Sequence, residues 1–421
     1  MTFESFMAAQ SVFLWATFGI ALLMGALVNK TNFCTMGAVS DWVNMGDTGR
    51  FRAWLLAIAV AVLGVTALES VGLVRADSAF PPYRAGLLIW PENLLGGILF
   101  GIGMTLGSGC GNKALIRIGG GNLKSVMVFL VIGVIAYFMV NPFPGSDQTL
   151  FTVLFYDWIR PLAVDVGSSQ DLGALVAGSE NAATARKVIG AVLGLALLVF
   201  VFRSADFRRS LDNILGGLAV GLAVLAAWYV TSNVMIDIDG ETYSLQAYVQ
   251  QWDFLAESDA GKPADSRPLA PQSFTFINPM GQMVGYTAAA FDSAFLTFGV
   301  MAVFGVVLGS FLWAVVSGSF RIEWFASVRD FLSHLIGAVL MGFGGVLALG
   351  CTIGQGITGI STLAAGSFIA FAGIVLGSAL TMKVQYYKMV YEQDASFIAA
   401  LVTGLVDLHL LPEKLRRLEA V

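Results

Sequence analysis

Three cysteines, Cys34, Cys110 and Cys351, are the side chains of this sequence that can do soft-sulfur chemistry. A thiol can act as a nucleophile or metal ligand once ionised, or as a weak, polarizable hydrogen-bond donor when neutral. No two of them form a C-x-x-C pair, and the odd count argues against a disulfide scaffold. His334 and His409, the two histidines, are too few for a metal cage. The sequence therefore predicts neither a metal nor a cofactor site, and leaves single thiols to be explained.

Two of these cysteines end related glycine-rich stretches. Residues 96–110 read G-G-I-L-F-G-I-G-M-T-L-G-S-G-C, and residues 337–351 read G-A-V-L-M-G-F-G-G-V-L-A-L-G-C. Glycine, leucine and the final cysteine recur at equivalent positions, and a polar, glycine-rich turn follows each cysteine. A weaker copy begins N-I-L-G-G-L-A-V-G at 213, but Val230 replaces the cysteine there. We infer a repeated unit that delivers one thiol per copy.

The composition places these units in a membrane. Of the 421 residues, 57% are hydrophobic and 12% are charged, about half the charged share of a soluble protein. The net charge of -5 does not suggest a nucleic-acid partner. Several apolar runs reach the length of a membrane-spanning helix. The sequence predicts an all-α polytopic protein with about nine spans, at 12–28, 53–74, 94–109, 125–140, 187–202, 211–229, within 286–316, 331–349 and 363–382.

The polar segments between the spans suggest how the chain is divided. The segment 32–47, which contains Cys34, is too polar for lipid and is expected to line a cavity or lie at the interface. An interfacial helix is expected near 151–164. The predicted regions are a first membrane repeat at 1–140, a polar and extracytoplasmic connection at 141–186, a second repeat at 187–382 with an extracytoplasmic loop at 236–285, and a cytoplasmic segment at 383–421.

Lysine and arginine predict the orientation, because they favour the cytoplasmic ends of spans. Nine spans with basic turns on one side put the N-terminus outside and the C-terminus in the cytoplasm. The third and eighth spans then run in opposite directions, as in the inverted repeats of many transporters. Cys110 would lie toward the cytoplasm and Cys351 toward the outside. The basic turns are 50–52, 113–124, 203–209, 321–329 and 383–388.

Common enzyme and nucleotide motifs are missing. Residues 107–113 read G-S-G-C-G-N-K, whereas a P-loop needs glycine directly before the lysine and serine or threonine after it. The sequence has no H-E-x-x-H and no G-x-S-x-G. We therefore expect a transporter and not an enzyme.

The cysteine segments resemble the YeeE/YedE family of sulfur-compound transporters. The resemblance rests on N-F-C-T-M-G-A-V-S-D-W-V-N-M-G-D, L-G-S-G-C-G-N and L-G-C-T-I-G-Q-G-I-T-G-I-S, and covers roughly residues 12–382. It implies a bacterial inner-membrane protein that takes up thiosulfate along a path lined by Cys34, Cys110 and Cys351. Some relatives are tied to selenium metabolism, and some occur with a small cytoplasmic sulfur-carrier protein, which makes such a protein a possible partner.

Physical chemistry agrees with that implication. Thiosulfate is a dianion with one soft sulfur and three hard oxygens. A neutral thiol can meet the soft end weakly, whereas a thiolate would repel it, and apolar surroundings favour the neutral form. Backbone N–H groups, with Asn112, Thr352 and Gln355, would donate to the oxygens. Lys113 and Arg117 would attract the anion to the inner mouth.

Other interpretations remain open from sequence alone. The cysteines could work covalently in a membrane thiol oxidoreductase or sulfurtransferase, through a disulfide or a persulfide. The substrate could be a selenium compound, or the chain could be a structural membrane subunit. Lys113 and Arg117 are equally well explained as ordinary cytoplasmic anchors, and spaced glycines as helix-packing positions.

Overall fold

The computed structural model describes residues 1–238, 240–251, 269–391 and 395–419, and these are overwhelmingly helical. Apolar side chains on several faces of the long helices are buried against one another. Short π-helical turns extend some helices, at Asp41–Met45, Thr152–Tyr156 and Gly354–Gly359. The helices are α1 (Phe6–Thr31), α2 (Thr35–Ser40), α3 (Gly49–Ser70), α4 (Trp90–Leu106), α5 (Gly111–Gly119), α6 (Leu123–Val140), α7 (Asp157–Ile159), α8 (Leu172–Phe202), α9 (Ala205–Arg209), α10 (Leu211–Asn233), α11 (Leu245–Gln250), α12 (Ile277–Ala288), α13 (Phe298–Val316), α14 (Val328–Leu347), α15 (Ala365–Val390) and α16 (Phe397–Asp407).

Nine helical segments within the described residues are long and apolar enough to cross a bilayer, which confirms the predicted class of all-helical membrane protein. The seventh span lies within the predicted range 286–316. In that range α12 ends at Ala288, and the span itself is α13, which begins at Phe298. Near 151–164 the chain forms short helical turns that end in a two-residue strand, Val164–Asp165.

Two small sheets lie outside the helices. β1 (Thr2–Phe3) pairs parallel with β4 (Met235–Ile238), which pairs antiparallel with β5 (Glu241–Ser244). β2 (Leu87–Leu88) and β3 (Val164–Asp165) form the second sheet. The N-terminal amine donates to the carbonyl of Asn233 at 2.9 Å. The N-terminus and the β4–β5 hairpin therefore share one end of the bundle, which we call the sheet end.

The two cysteine-bearing units pack directly against each other through glycine. A Cβ atom on Gly103 of α4 would lie 2.6 Å from the Gly337 carbonyl oxygen of α14, and one on Gly96 would lie 2.7 Å from the Gly344 oxygen. Successive contacts advance along α4 as they retreat along α14, so the helices are antiparallel. Small residues allow this backbone contact in a membrane, where packing rather than hydrophobicity holds helices together.

Helix α15 packs on the other side of α4 and runs parallel to it. The Thr105 and Ser378 hydroxyl groups are 2.8 Å apart, and a Cβ atom on Gly101 would lie 2.8 Å from the Ser378 amide nitrogen. Helix α4 therefore packs between α14 and α15, with its backbone in contact with the backbone of both helices.

A buried arginine fastens the loop before α4. Arg84 is 4% exposed and binds both oxygens of Glu69, at 2.7 and 2.9 Å, and Asp77 at 3.0 Å. Its Nε donates to the Thr362 carbonyl at 2.8 Å. A guanidinium group can hold several acceptors at once, because its N–H donors point in fixed directions. We call this set of contacts around Arg84 the clamp. The loop that carries Tyr83 is therefore tied to the segment just after Cys351.

Replacing Gly103 with alanine should destabilise the protein by about 1–3 kcal/mol, because the new methyl group overlaps the α14 backbone. The thermal midpoint in detergent measures the change. Gly19→Ala is the matched control, since a Cβ atom there meets nothing within 4 Å. We expect it to leave the midpoint unchanged or raise it. Equal effects of the two substitutions would contradict close α4–α14 packing.

The clamp should weaken at low pH because the Asp77 carboxylate becomes protonated. Partial burial favours its neutral form, but Arg84 and Arg186 more than offset this and lower the pKa of Asp77. A carboxylate with a lowered pKa stabilises the folded state above its unfolded pKa, and this contribution disappears as pH falls through the folded value. Between about pH 5 and pH 3, the thermal midpoint should fall further in the natural protein than in Asp77→Asn. Asp157→Asn, at an exposed acid without an ion pair among the described residues, should follow the natural protein; identical curves for all three would argue against the clamp.

Candidate functional site

Each of the three cysteines stands immediately before a short helix inside the bundle. Cys34 precedes α2, Cys110 precedes α5, and Cys351 precedes a helical segment at 352–361. Each cysteine carbonyl accepts the first-turn hydrogen bond, at 3.0, 2.9 and 2.8 Å respectively. All three side chains are buried, with 6%, 3% and 0% of their surface exposed. The thiols therefore share one local design, in which a sulfur lies beside the unpaired N–H groups of a helix start.

The chain reaches Cys110 and Cys351 through two breaks built in the same way. Ser108 and Leu349 both adopt the left-handed conformation, with φ of 58° and 59°. The next residue then donates back into the preceding helix, from Gly109 to Met104 and from Gly350 to Gly345, each at 2.8 Å. This is the hydrogen-bond pattern of a Schellman helix end, with a non-glycine residue at its left-handed position. Each long helix therefore stops abruptly and turns its cysteine inward.

Electrostatic interactions connect the thiols with the charged and phenolic groups around them. Cys110 interacts with Cys34, Cys351 and Lys113. Cys34 also interacts with Lys113 and Arg50, and Cys351 also interacts with Tyr83. The three cysteines therefore belong to one cluster of interacting groups.

Cys351 lies in a pocket of donors. The Gly354 amide donates to its sulfur at 3.4 Å, and the Thr275 hydroxyl and the Phe276 and Ile353 amides lie beside it. Residues 272–276 come from the segment before α12, which enters the bundle between the two breaks. A Cβ atom on Gly350 would meet Thr275 Oγ1 at 3.2 Å, so glycine lets this segment approach. The sequence prediction assigned these residues to a polar loop and gave them no role.

Several buried polar atoms around the cysteines have no hydrogen-bond partner among the described residues. Buried polar groups without partners are uncommon, so a cluster of them indicates a place for a polar guest. Thr352, which lies beside Cys110, is fully buried with an uncommitted hydroxyl. The uncommitted atoms in this region are Tyr83 OH, Asn112 Oδ1, Thr275 Oγ1, Thr352 Oγ1 and Gln355 Oε1.

Lys113 is almost buried and faces Cys34. The whole residue is 9% exposed, and its ammonium group donates to Asn32 Oδ1. Lys113 and Arg117 also line a cavity of about 480 Å³, together with Lys124 and Arg321. These four cations outnumber Glu323 and Asp330, the acids on its wall. The cavity wall is therefore basic, and it includes Asn32 and Ser108, each two residues before a cysteine.

Arg50 adds a further cation beside Cys34. It forms an ion pair with buried Asp41, and its guanidinium lies against the backbone of Gly37. The sequence prediction treated Arg50 only as a span-end anchor. Its contact with the Cys34 helix arises from packing of α2 on α3, which no local pattern reports.

Gln355 also makes a hydrogen bond to the backbone at the end of α14. Its Nε2 donates to the Ala348 carbonyl, one of the groups released where α14 ends, while Oε1 is left without a partner among the described residues. The residue therefore helps to close the break before Cys351. Tyr83 and Thr275 are the polar groups near Cys351 that sequence reasoning missed. The Phe-Pro-Pro turn before Tyr83 was the visible signal, but its partner is more than 250 residues away along the chain.

Among the described residues, no group of three or more His, Cys, Asp or Glu side chains could hold a metal ion. The site offers thiols, hydroxyl groups, backbone N–H groups and cations. Such a set can bind an anion through several weak contacts.

Comparison with known proteins agrees with that chemistry. A family model described as sulphur transport matches residues 30–380. The thiosulfate transporter TsuA of Escherichia coli K12 is 25% identical over 374 residues, covering 84% of this chain and 90% of the relative. TsuA of Spirochaeta thermophila is 23% identical over 375 residues, covering 87% and 97%. The chain is therefore a multi-pass membrane protein of the sulphur-transport (YeeE/YedE) family.

Proposed function

We propose that this protein carries thiosulfate, or a closely related sulfur oxyanion, across the bacterial inner membrane. The observation that carries the proposal is the set of three buried thiols, each at the start of a short internal helix. The family match and the TsuA relatives support the substrate class. The proposed order is Cys351, Cys110 and Cys34, followed by the basic cavity.

The orientation follows from charge. Basic residues line the cavity at Lys113 and Arg117, and the positive-inside rule assigns this side to the cytoplasm. The sheet end, with the N-terminus, then faces outward, and Cys351 with Tyr83 forms the outer entrance. The antiparallel packing of α4 and α14 and their matched breaks support an inverted repeat, in which two half-paths meet near the membrane centre.

A dianion inside a membrane needs compensation for its lost hydration. A helix N-terminus carries the equivalent of about half a positive charge. Three such termini, together with the Lys113 ammonium group, are of the same order as the two negative charges of thiosulfate. The charge is offset by groups spread along the path, so no single position holds the ion tightly.

The thiols recognise the soft end of the ion. A neutral S–H group can donate weakly to the terminal sulfur, whereas an ionised thiol would repel it. Meanwhile Tyr83, Thr275, Thr352 and helix-start N–H groups donate to the oxygens. Asn112 offers its amide beside Cys110, and Gln355 positions the Cys351 break. Lys113 and Arg117 draw the ion toward the cytoplasmic mouth, where delivery to a small sulfur-carrier protein stays a prediction.

Changing any one cysteine to alanine should reduce thiosulfate uptake about 10- to 100-fold, the usual cost of one hydrogen bond to a charged group. Flux of labelled thiosulfate into proteoliposomes measures this, with sulfate, sulfite and selenite as competitors. Serine at the same positions keeps a hard donor and should recover only part of the flux. Unchanged flux in all three alanine variants would rule out the thiol path.

Mass analysis after transport separates this path from covalent chemistry. We expect each cysteine to keep its unmodified mass, since the thiols bind and release the ion without forming a bond. A persistent persulfide or thiosulfonate adduct on Cys34, Cys110 or Cys351 would instead indicate group transfer.

Tyr83→Phe should raise the half-saturating thiosulfate concentration about tenfold, because the hydroxyl is lost at the outer entrance. The maximal rate should change much less. Tyr243→Phe, in the β4–β5 hairpin, is the matched control and should behave like the natural protein. If both variants gave natural kinetics, Tyr83 would have no part in binding.

A further inference from the structure

A second feature lies away from the cysteines, in a groove on the outside of the bundle. Helices α4, α15 and α16 enclose a cavity of about 830 Å³. Its wall is formed chiefly by large aliphatic side chains from three helices, including Ile98, Ile102, Leu376, Leu380, Leu401 and Leu405. Interfaces between membrane helices are typically rich in small residues, whereas this surface is concave and lined by branched side chains.

Two cations stand at one end of this groove. Helices α4 and α15 are parallel, so their C-terminal ends lie together, and Ser333 of α14 donates to the Leu106 carbonyl at 3.1 Å. Arg329, near the start of α14, and Lys388, near the end of α15, are therefore at the same end of the groove. The aliphatic wall runs from there toward Ile98.

Neither cation is neutralised within the described part of the chain. Both are exposed, and no carboxylate pairs with either one there. Among the described residues, the neighbouring acids already have partners: Asp330 binds Lys124 at 2.8 Å, and Asp407 binds Lys383 at 3.2 Å and Arg416 at 2.9 Å. The described groove wall contains no acidic side chain, while Thr381 and Gln385 add polar groups near the cations.

Helix α16 is held firmly enough to form the third wall. Besides the ion pairs of Asp407, the Tyr387 hydroxyl donates to that carboxylate at 2.8 Å, and the Thr403 hydroxyl accepts from the Leu418 amide at 3.1 Å. The tail after α16 thus folds back and fixes its angle to α15. The groove is therefore a formed feature of the fold.

We propose that this groove binds an anionic glycerophospholipid, with its phosphate between Arg329 and Lys388 and an acyl chain along the aliphatic wall. An apolar trough that opens to the bilayer and ends in two cations without an ion pair among the described residues is complementary to a lipid of this kind. A second copy of the chain fits less well, because it would have to supply both an aliphatic ridge and a carboxylate at the right level. The inference needs only the membrane location and does not depend on the transported ion.

Native mass spectrometry of the purified full-length protein tests the proposal, with equal amounts of phosphatidylglycerol and phosphatidylcholine. Each basic side chain near an anionic surface contributes about fivefold to affinity. We therefore expect a clear preference for phosphatidylglycerol, reduced about 30-fold in the variant R329Q/K388Q. The matched control R203Q/R209Q removes two exposed cations elsewhere and should keep the preference.

Leu401→Trp tests the groove itself, because it fills the aliphatic wall and leaves both cations in place. It should lower the binding of both lipids. An unchanged thermal midpoint would show that the variant is still folded. Equal binding of the two lipids by the natural protein, or the same loss in R203Q/R209Q as in R329Q/K388Q, would overturn the proposal. A lipid-independent dimer that dissociates in R329Q/K388Q would show that a second copy occupies the groove instead.

Discussion

Backbone contact between α4 and α14 is the constraint on which the rest of the site depends. Glycines at the crossing let two antiparallel helices approach to a distance that any larger side chain would prevent. Because each helix ends in the same kind of break, their closeness determines where both breaks lie. The two breaks lie toward opposite ends of this antiparallel pair, yet Cys110 and Cys351 still interact electrostatically, although 240 residues separate them in the chain.

The two helix breaks, at Ser108 and Leu349, place backbone N–H groups next to the cysteines inside the bundle. Ser108 and Leu349 take up left-handed conformations that cost energy for residues with a side chain. Each one stops a long apolar helix and starts a short one whose free N–H groups point toward a thiol. Membrane proteins tolerate irregular backbone only where it is enclosed by protein or lines a cavity. In this protein, the irregular segments coincide with the cysteines and with the uncommitted hydroxyl and amide groups.

Much of this could be predicted from the sequence, for identifiable reasons. Long apolar runs indicate spans by length alone, and the repeated glycine–cysteine stretch indicates the paired units through its matching residues. The role of Tyr83 and Thr275 could not be predicted, because it results from contacts between distant segments. The sequence placed the seventh span within 286–316 but not its start at Phe298, because the apolar composition does not reveal the turn between α12 and α13. Arg50 was missed because its position beside Cys34 depends on helix packing.

The site and the groove place different demands on the same bundle. In the cysteine region, thiols, hydroxyl groups and cations lie inside the bundle, whereas in the groove two cations lie at one end of an apolar trough. The central claim is that thiosulfate occupies the space between Cys351 and Cys110. An experimental structure determined in saturating thiosulfate tests it most directly. We expect density for the ion at that position, within contact of Cys351 and of Tyr83 or Thr275. Density elsewhere, or cysteines turned toward lipid, would contradict it.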